Sequence, residues 1–335
     1  MKKHSLFLLF SFACIALHSA PSASDSQEIE YAAIQKLLDQ YKRPITILEI
    51  DAKLGYYSLK VAKDYGAACV MSEEKHASEL LELCEHHKNS SSLMLLNKKM
   101  DLDTLTRLGE CEHFDVVLLM NGLDEYQDQW KETIDAVLEL GEHTFINVHR
   151  PSSLKLTAPL QRKIYEYLKN KNGVVLEASS ATTYDDRKTA LFLFTKPKTH
   201  LKRKYWNFKK SSSDTEFVVE SSFTAKTFHK KRGNKVLPWH PGINLLTFKT
   251  LNGVFPLKET IREKLQDFKH IKHTDLHIWN IIIQGNTLIP IDGDDRRLHY
   301  NPRFTIHFIL QQFKRILAQK YGMSLNDADF EAYNS

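Results

Sequence analysis

The chain predicts an α/β fold: a doubly wound, mostly parallel sheet with an antiparallel last strand, joined to a second, smaller α+β domain. Three observations carry this expectation. Short β-rich runs alternate with helical patterns five times between residues 27 and 196, and such alternation puts helices on both faces of a parallel sheet. Two strand-like runs then follow each other with no helix between them. Beyond these the composition changes: residues 196–235 hold twelve Lys/Arg against three Asp/Glu, and apolar patterning resumes at Leu237.

The N-terminus is expected to be a signal peptide over residues 1–23. Lys2 and Lys3 precede a twelve-residue apolar run, Leu6 to Leu17, and small residues follow, with cleavage expected between Ala20 and Ser24. The run is too short to span a bilayer as a stable helix. The implied locations are the secretory pathway, a periplasm or an organelle lumen. An uncleaved anchor would instead leave the body on the cytoplasmic face of a membrane.

The first domain is expected over residues 27–196. QEIEYAAIQKLLDQY (27–41) spaces apolar residues helically, and Pro44 ends that helix. ITILEI (45–50) is a strand, DAKLG a turn and YYSLKVAKDYG a helix. AACVMSEE, SLMLLNKK, FDVVLLMN and HTFINVH follow as strands. HASELLELCEHHK, DTLTRLGE, QWKETIDAVLELG and PLQRKIYEYLKNKNG follow as helices. VVLEASSAT and TALFLFTKP close the series as an antiparallel edge pair. Residues 197–215 read as a basic linker or arm, although FVVESSFTAKTF has strand-like alternation. Residues 216–335 form the second domain, with helices at LKETIREKLQDF and FTIHFILQQFKRILAQKY and paired short strands at NIIIQ and LIPID.

Composition excludes several classes. At 42% hydrophobic and 26% charged residues the chain is globular rather than disordered. Twelve glycines exclude collagen-like and low-complexity architectures, and make any glycine-rich phosphate loop sparse. The formal charge of +5 is local, since residues 196–235 alone carry +9 and the remainder −4. Cys69, Cys84 and Cys111 remain beyond the signal, too few and too odd a number for a disulfide framework. Stability must come from apolar burial.

ILEIDAKLGYYSL sits where a strand runs into a helix, the place where open α/β sheets bind nucleotides. It resembles the first motif of class I S-adenosylmethionine-dependent methyltransferases, (D/E)-x-G-x-G-x-G, and the terminal strand pair resembles that family's last two strands. The resemblance spans about residues 30–196. It implies S-adenosylmethionine as cofactor, with Glu49 as the motif's acid and Gly55 as its last glycine. Asp51 and Lys53 stand where the first two glycines would be. Their side chains can block close approach of a ligand, or Lys53 can face a carboxylate. The resemblance further implies Glu73, with Glu74 next to it, on the ribose hydroxyls, Asp101 near adenine, and Asn121 at the edge of the methyl-transfer pocket.

A second constellation is His273-Thr274-Asp275-Leu276-His277-Ile278-Trp279-Asn280, followed by Ile289-Pro290-Ile291-Asp292. Phosphoryl transfer needs a carboxylate beside the attacking hydroxyl and hard oxygen ligands for Mg²⁺. A hairpin after Asn280 can return Asp292 to the same metal. The pattern H-x-D-x-x-x-x-N then I-D, over residues 270–295, resembles the aminoglycoside- and choline-kinase type of kinase-like protein. That resemblance implies Mg-ATP, with Asp275 as base, His273 positioning the loop, and Asn280 and Asp292 as metal ligands. Lys226 is the candidate phosphate-contacting lysine, and WHPGINLLTF a candidate hinge and helix. Two alternatives stay open: zinc held by His270, His273 and His277, and a satisfied polar network in a hairpin.

Residues 196–210 (KPKTHLKRKYWNFKK) interleave lysines with Tyr205, Trp206 and Phe208. They could be solvated charge or could contact an anionic surface, whereas nucleic acid fits a secreted protein poorly. Three functions compete. One is a methyltransferase acting on a small molecule, glycan or protein, fused to a kinase-like module. Another is an Mg-ATP-dependent phosphotransferase with the first domain as scaffold. The third is a catalytically silent binding protein of two degenerate enzyme domains. Methyl transfer leads, because the larger domain carries that topology.

Overall fold

Thr46–Ile50 (β1), Ala68–Ser72 (β2), Leu93–Leu96 (β3) and Phe114–Leu119 (β4) are buried at every position. Strands covered on both faces read as continuous apolar runs, which is why these four segments were legible in the sequence. The computed structural model describes residues 25–120, 123–149, 159–178, 189–196, 198–203, 215–230, 236–254 and 280–291. The expected signal peptide, Asn121, His273, Asp275, Asp292, the zinc-spaced histidines and the helices expected over 257–268 and 304–321 lie outside these residues.

β1 pairs in parallel with β2 on one side and β4 on the other, β2 with β3, and β4 with β5 (Gly141–His149). Helices cover both faces. Asp25–Leu38 (α1), Tyr56–Tyr65 (α2) and Ala77–His86 (α3) bury Ile34, Val61 and Leu80 on the face shown by Ile47, Cys69 and Val116. Leu102–Cys111 (α4), Trp130–Leu138 (α5) and Pro159–Asn170 (α6) bury Leu108, Ile134 and Leu168 on the face shown by Leu48, Val70 and Val117. The result is the expected doubly wound, mostly parallel sheet.

The last two strands differ from the expected hairpin in their placement. Thr189–Thr195 (β7) lies antiparallel between β5 and Val174–Ala178 (β6), so β6 forms the edge. Burial gives the reason. Ala190, Leu191 and Phe192 are buried in β7, whereas Val174 and Val175 of β6 are 59% and 38% exposed. The segment with the greater apolar burial takes the interior place.

The expected linker and second domain are built onto this frame. Lys198–Arg203 (β8), inside the expected linker, pairs with Thr215–Ser221 (β9). Lys226–Lys230 (β10) and Val236–Pro238 (β11) complete a four-stranded antiparallel sheet. Ile243–Asn244 (β12), Leu245–Thr250 (α7) and Gly253–Val254 (β13) follow. β13 joins the large sheet as an antiparallel neighbour of β3. Ile281–Gln284 (β14) and Thr287–Pro290 (β15) form the expected hairpin, beside β12. Ile243, Leu245, Phe248, Ile281 and Ile283 share one apolar core with Leu48, Val70 and Val117. The hairpin turn presses onto the segment before β3. A Cβ on Gly285 would lie 1.4 Å from the Ser91 carbonyl oxygen, so only glycine fits there.

Lys226 lies elsewhere than a phosphate site. Its side chain is buried at the N-terminal ends of the large sheet's strands. Its Nζ is 2.7 Å from Asp115 Oδ1, donates to the His113 carbonyl at 3.1 Å and sits 3.8 Å from the Trp239 ring centroid. Burial lowers its pKa and the Asp115 charge opposes this. An ammonium committed in this way is not available to a phosphate. Asp115 Oδ2 accepts from the Thr46 amide at 2.7 Å, and Arg43 lies 3.0 Å from Oδ1. Arg43 also reaches Glu142 at 3.4 Å and Ser221 at 2.9 Å. Burial works against ionisation of Glu142, but hydrogen bonds with His143 and Ser221 outweigh it and keep its carboxyl below the usual range. Burial, with the nearby cations Lys226, Lys196 and Arg43, holds the His113 ring neutral.

Among the described residues no helix is long and apolar enough to cross a membrane. Removing one partner of a buried pair leaves the other charge uncompensated. Lys226→Ala is therefore expected to cost about 3 kcal/mol in a denaturant titration. Asp115→Ala combined with Lys226→Ala should cost less than the sum of the two single changes. Additive losses would show that the pair is not coupled.

Candidate functional site at the carboxyl ends of the strands

The strand order reverses at β1, with β2 and β3 on one side and β4 and β5 on the other. A crevice forms at such a switch point, outside the carboxyl ends of the strands. The turn of residues 51–55 lies there, between β1 and α2.

The backbone of this turn is left-handed at three places: Asp51 (φ 51°), Lys53 (φ 54°) and Gly55 (φ 68°). These are the three glycine positions of the resembled motif. The turn therefore keeps the glycine-type path although two of the residues carry side chains. Asp tolerates this region better than most residues, whereas Lys gains no such local support. The Ala52 amide donates to the Ser72 carbonyl at 3.0 Å, and the Asp51 amide to Ser72 Oγ at 3.4 Å, so the turn leans over the end of β2. At Gly55 the added Cβ would lie 2.7 Å from Leu80 Cδ1 and 3.0 Å from Met71 Sδ. This last glycine serves packing of α2 against β2 and α3.

Glu49 points from β1 to the first turn of α2. Its Oε2 accepts from the Ser58 amide at 2.9 Å, which supplies the cap that Gly55 cannot. Glu49 is 1% exposed, and its Oε1 has no hydrogen-bond partner, nor does Ser58 Oγ. Burial raises the Glu49 pKa to about 7 against the hydrogen bonding from Ser58, and Glu73 adds to the rise.

Glu73 follows β2. Its Oε2 accepts from the Lys53 amide at 2.7 Å, and its Oε1 from the His76 amide at 3.0 Å. It thus ties the turn after β1 to the start of α3, and a carboxylate retains lone pairs beyond these two. Glu74 is exposed. Asp101 is the N-cap of α4 and accepts from the Thr104 amide at 2.7 Å. Burial would raise its pKa, but those hydrogen bonds prevail and lower it.

The structure brings Glu49, Asp51, Gly55 and Glu73 together around one turn. Two further groups had no sequence signal: Tyr126, which reaches the turn, and Glu30, which ties α1 to α2 and β5. Tyr126, after β4, donates to the Met100 carbonyl at 2.8 Å and lies 3.5 Å from Asp51 Oδ2, linking the turn to the loop before α4. Glu30 of α1 is 5% exposed and accepts from Ser26 Oγ at 3.0 Å, Asn147 Nδ2 at 2.8 Å, Thr189 Oγ1 at 3.2 Å and the Tyr57 hydroxyl. A carboxylate on an amphipathic helix normally faces water, so neither its burial nor its partners could be read from spacing.

Of the second constellation, Asn280 is described. It is 4% exposed at the open end of the β14–β15 hairpin, where its carbonyl accepts from the Ile291 amide at 2.8 Å. Ile291 is thereby paired with Asn280. Among the described residues no three His, Cys, Asp or Glu side chains are grouped to hold a metal ion.

No family model matches the sequence, and no curated protein matches it. Solved structures with some similarity include the N-terminal domain of EvdMO1 in the presence of SAH and D-fucose, 15% identical. It covers 52% of this chain and 85% of that chain at a TM-score of 0.38. The bifunctional kinase-methyltransferase WbdD is 10% identical and covers 87% of this chain and 81% of that chain, TM-score 0.39. Magnesium protoporphyrin IX methyltransferase (ChlM) from Synechocystis PCC 6803 with bound SAH is 11% identical, covering 50% and 80%, TM-score 0.35.

The Glu49 geometry gives a prediction with a definite sign. Its folded pKa of about 7 lies above the ordinary 4.5, so between these values the native state holds more protons than the unfolded state. The stability this confers is complete below pH 4.5 and is lost as pH rises through 7. Glu49→Gln should flatten that part of the stability–pH curve, a difference on the order of 3 kcal/mol in denaturant titrations at the two ends. An unchanged slope would remove Glu49 as its source.

Proposed function

We propose that this chain is an S-adenosylmethionine-dependent methyltransferase. The observation that carries the reading is the left-handed backbone at Asp51, Lys53 and Gly55, directly after β1 at the switch point of the sheet. The residues present fit the cofactor. The unpartnered Glu49 Oε1 can accept from the ammonium of its amino-acid end. The remaining lone pairs of Glu73 suit the two ribose hydroxyls, and Asp101 flanks the adenine side. S-adenosylmethionine would supply the methyl group, while this chain binds and orients it. The acceptor, whether small molecule, glycan or protein, would enter across the end of β4 near Asn121.

A second reading is supported by the β14–β15 hairpin, whose open end pairs Ile291 with the buried Asn280. On this reading Asn280 and Asp292 hold the Mg²⁺ of Mg-ATP and Asp275 is the base for phosphoryl transfer, without Lys226. The signal-like N-terminus supports export to a compartment supplied with the cofactor.

The test is a thermal-shift titration of the full-length protein with S-adenosylmethionine and Mg-ATP in separate arms. A ligand at a hundred times its Kd stabilises the native state by about 2.7 kcal/mol, a rise of a few degrees. The expected result is a rise with S-adenosylmethionine that disappears in Glu73→Ala. A cooperatively melting sample that does not respond to S-adenosylmethionine overturns the methyltransferase reading. A rise with Mg-ATP that Asp292→Ala abolishes would support the second site.

A further inference from the structure

Lys53 occupies a position at which glycine would cost nothing. Its φ of 54° is left-handed, a conformation that costs an ordinary L-residue roughly 1–2 kcal/mol. Strain of this kind persists where the surroundings over-determine it, and here the surroundings are visible. The Lys53 amide is held by Glu73 Oε2 at 2.7 Å, and the adjacent Ala52 amide by the Ser72 carbonyl at 3.0 Å. The Cα is therefore pinned at the mouth of the crevice, and the side chain leaves the turn into solvent. Among the described residues its ammonium makes no hydrogen bond, ion pair or ring contact. It contributes nothing to the fold that glycine would not contribute at lower cost.

Four residues before it, in β1, stands a group of complementary charge. Glu49 Oε1 is buried and without a hydrogen-bond partner, on a carboxylate whose other oxygen caps α2. The end of β1 and the turn that follows it thus carry a half-satisfied carboxylate and a free ammonium. An α-amino acid carries the matching pair, a carboxylate and an ammonium, on one carbon.

We infer that Lys53 binds the α-carboxylate of the methyl donor, so that the turn recognises an amino-acid-bearing nucleoside through Lys53 and Glu49 together. The inference rests on the methyltransferase reading of the same site. It assigns to a side chain the carboxylate contact that a glycine turn would leave to backbone amides, and it gives the backbone strain at Lys53 a purpose.

The experiment measures affinity of full-length wild type, Lys53→Gly, Lys53→Met and Lys53→Arg for two probes by calorimetry. One probe is S-adenosylmethionine. The other is 5′-methylthioadenosine, which keeps the nucleoside and sulfur but lacks the amino-acid end. Lys53→Gly relieves the strained φ, so its melting temperature should equal or exceed the wild-type value. The expected result is about tenfold weaker S-adenosylmethionine binding in the Gly and Met variants, the loss that one charge-assisted hydrogen bond represents. Lys53→Arg should recover most of the affinity, and 5′-methylthioadenosine should bind all four proteins equally. Unchanged S-adenosylmethionine affinity in Lys53→Gly would overturn the inference and leave the methyltransferase reading standing. Equal weakening of both probes would also overturn it, since Lys53 would then act through the shape of the turn. Failure of wild type to bind S-adenosylmethionine would overturn both.

Discussion

The structure depends on one buried carboxylate. Asp115, at the start of β4, receives the first amide of β1, the guanidinium of Arg43 and the ammonium of Lys226. These come from three parts of the chain: the central strand, the segment leading into it, and the four-stranded antiparallel sheet. A fully buried carboxylate is tolerable only when cations and donors surround it, so each of the three is held to the others. The C-terminal segment makes further contacts to the same end of the sheet. Glu112 accepts from Thr247 Oγ1 at 2.6 Å and from the Asn244 amide at 3.3 Å, and Thr46 Oγ1 accepts from the Gly242 amide at 2.6 Å. All of this occupies the N-terminal ends of the strands. The carboxyl ends are left open for chemistry.

This polarity explains what the sequence could and could not convey. Strands β1 to β4 were legible because burial on both faces makes each a largely apolar run, interrupted by Glu49 in β1 and Asp115 in β4. The flanking helices were legible from their spacing. The place of β7 was not, since two adjacent strand-like segments can join an edge in either order, and only their relative burial decides. Lys226 was misassigned for a similar reason. A lysine inside an alternating strand is usually exposed, and nothing local to FTAKTF announces that Asp115, 111 positions earlier, lies against it. The separate second domain was inferred from a change in charge. Charge reports solvent exposure of side chains and says little about backbone pairing, so a strand such as β8 can form inside a basic run.

The site divides in the same way. Glu49, Gly55 and Glu73 could be placed because a strand followed by a turn and a helix fixes where the strand-end acids lie. The conformation of Asp51 and Lys53 ran against their residue types. Side-chain identity argued for an altered turn, yet three amide contacts, from Asp51, Ala52 and Lys53 to the end of β2 and to Glu73, impose the glycine-type path. Tertiary hydrogen bonding outweighs a local preference worth roughly 1–2 kcal/mol per residue. Tyr126 and Glu30 were invisible because their partners come from loops and helices distant in sequence.

The two ends of the sheet also treat charge differently. At the N-terminal ends Asp115, Glu142, Arg43 and Lys226 neutralise one another within a few ångströms. At the carboxyl ends Glu49 keeps one oxygen unpartnered, and Lys53 of the following turn is exposed. Folding alone would favour the opposite assignment there, with an apolar residue at 49 and glycine at 53, since a buried unsatisfied oxygen and a left-handed lysine both raise the energy of the native state. A chain that satisfies its ion pairs at one end and leaves them open at the other is not short of means to pair charges. The open groups are most simply understood as waiting for a ligand that brings both partners, which is why the crevice above β1, rather than the better-packed joint beneath it, is where this protein's chemistry should be sought.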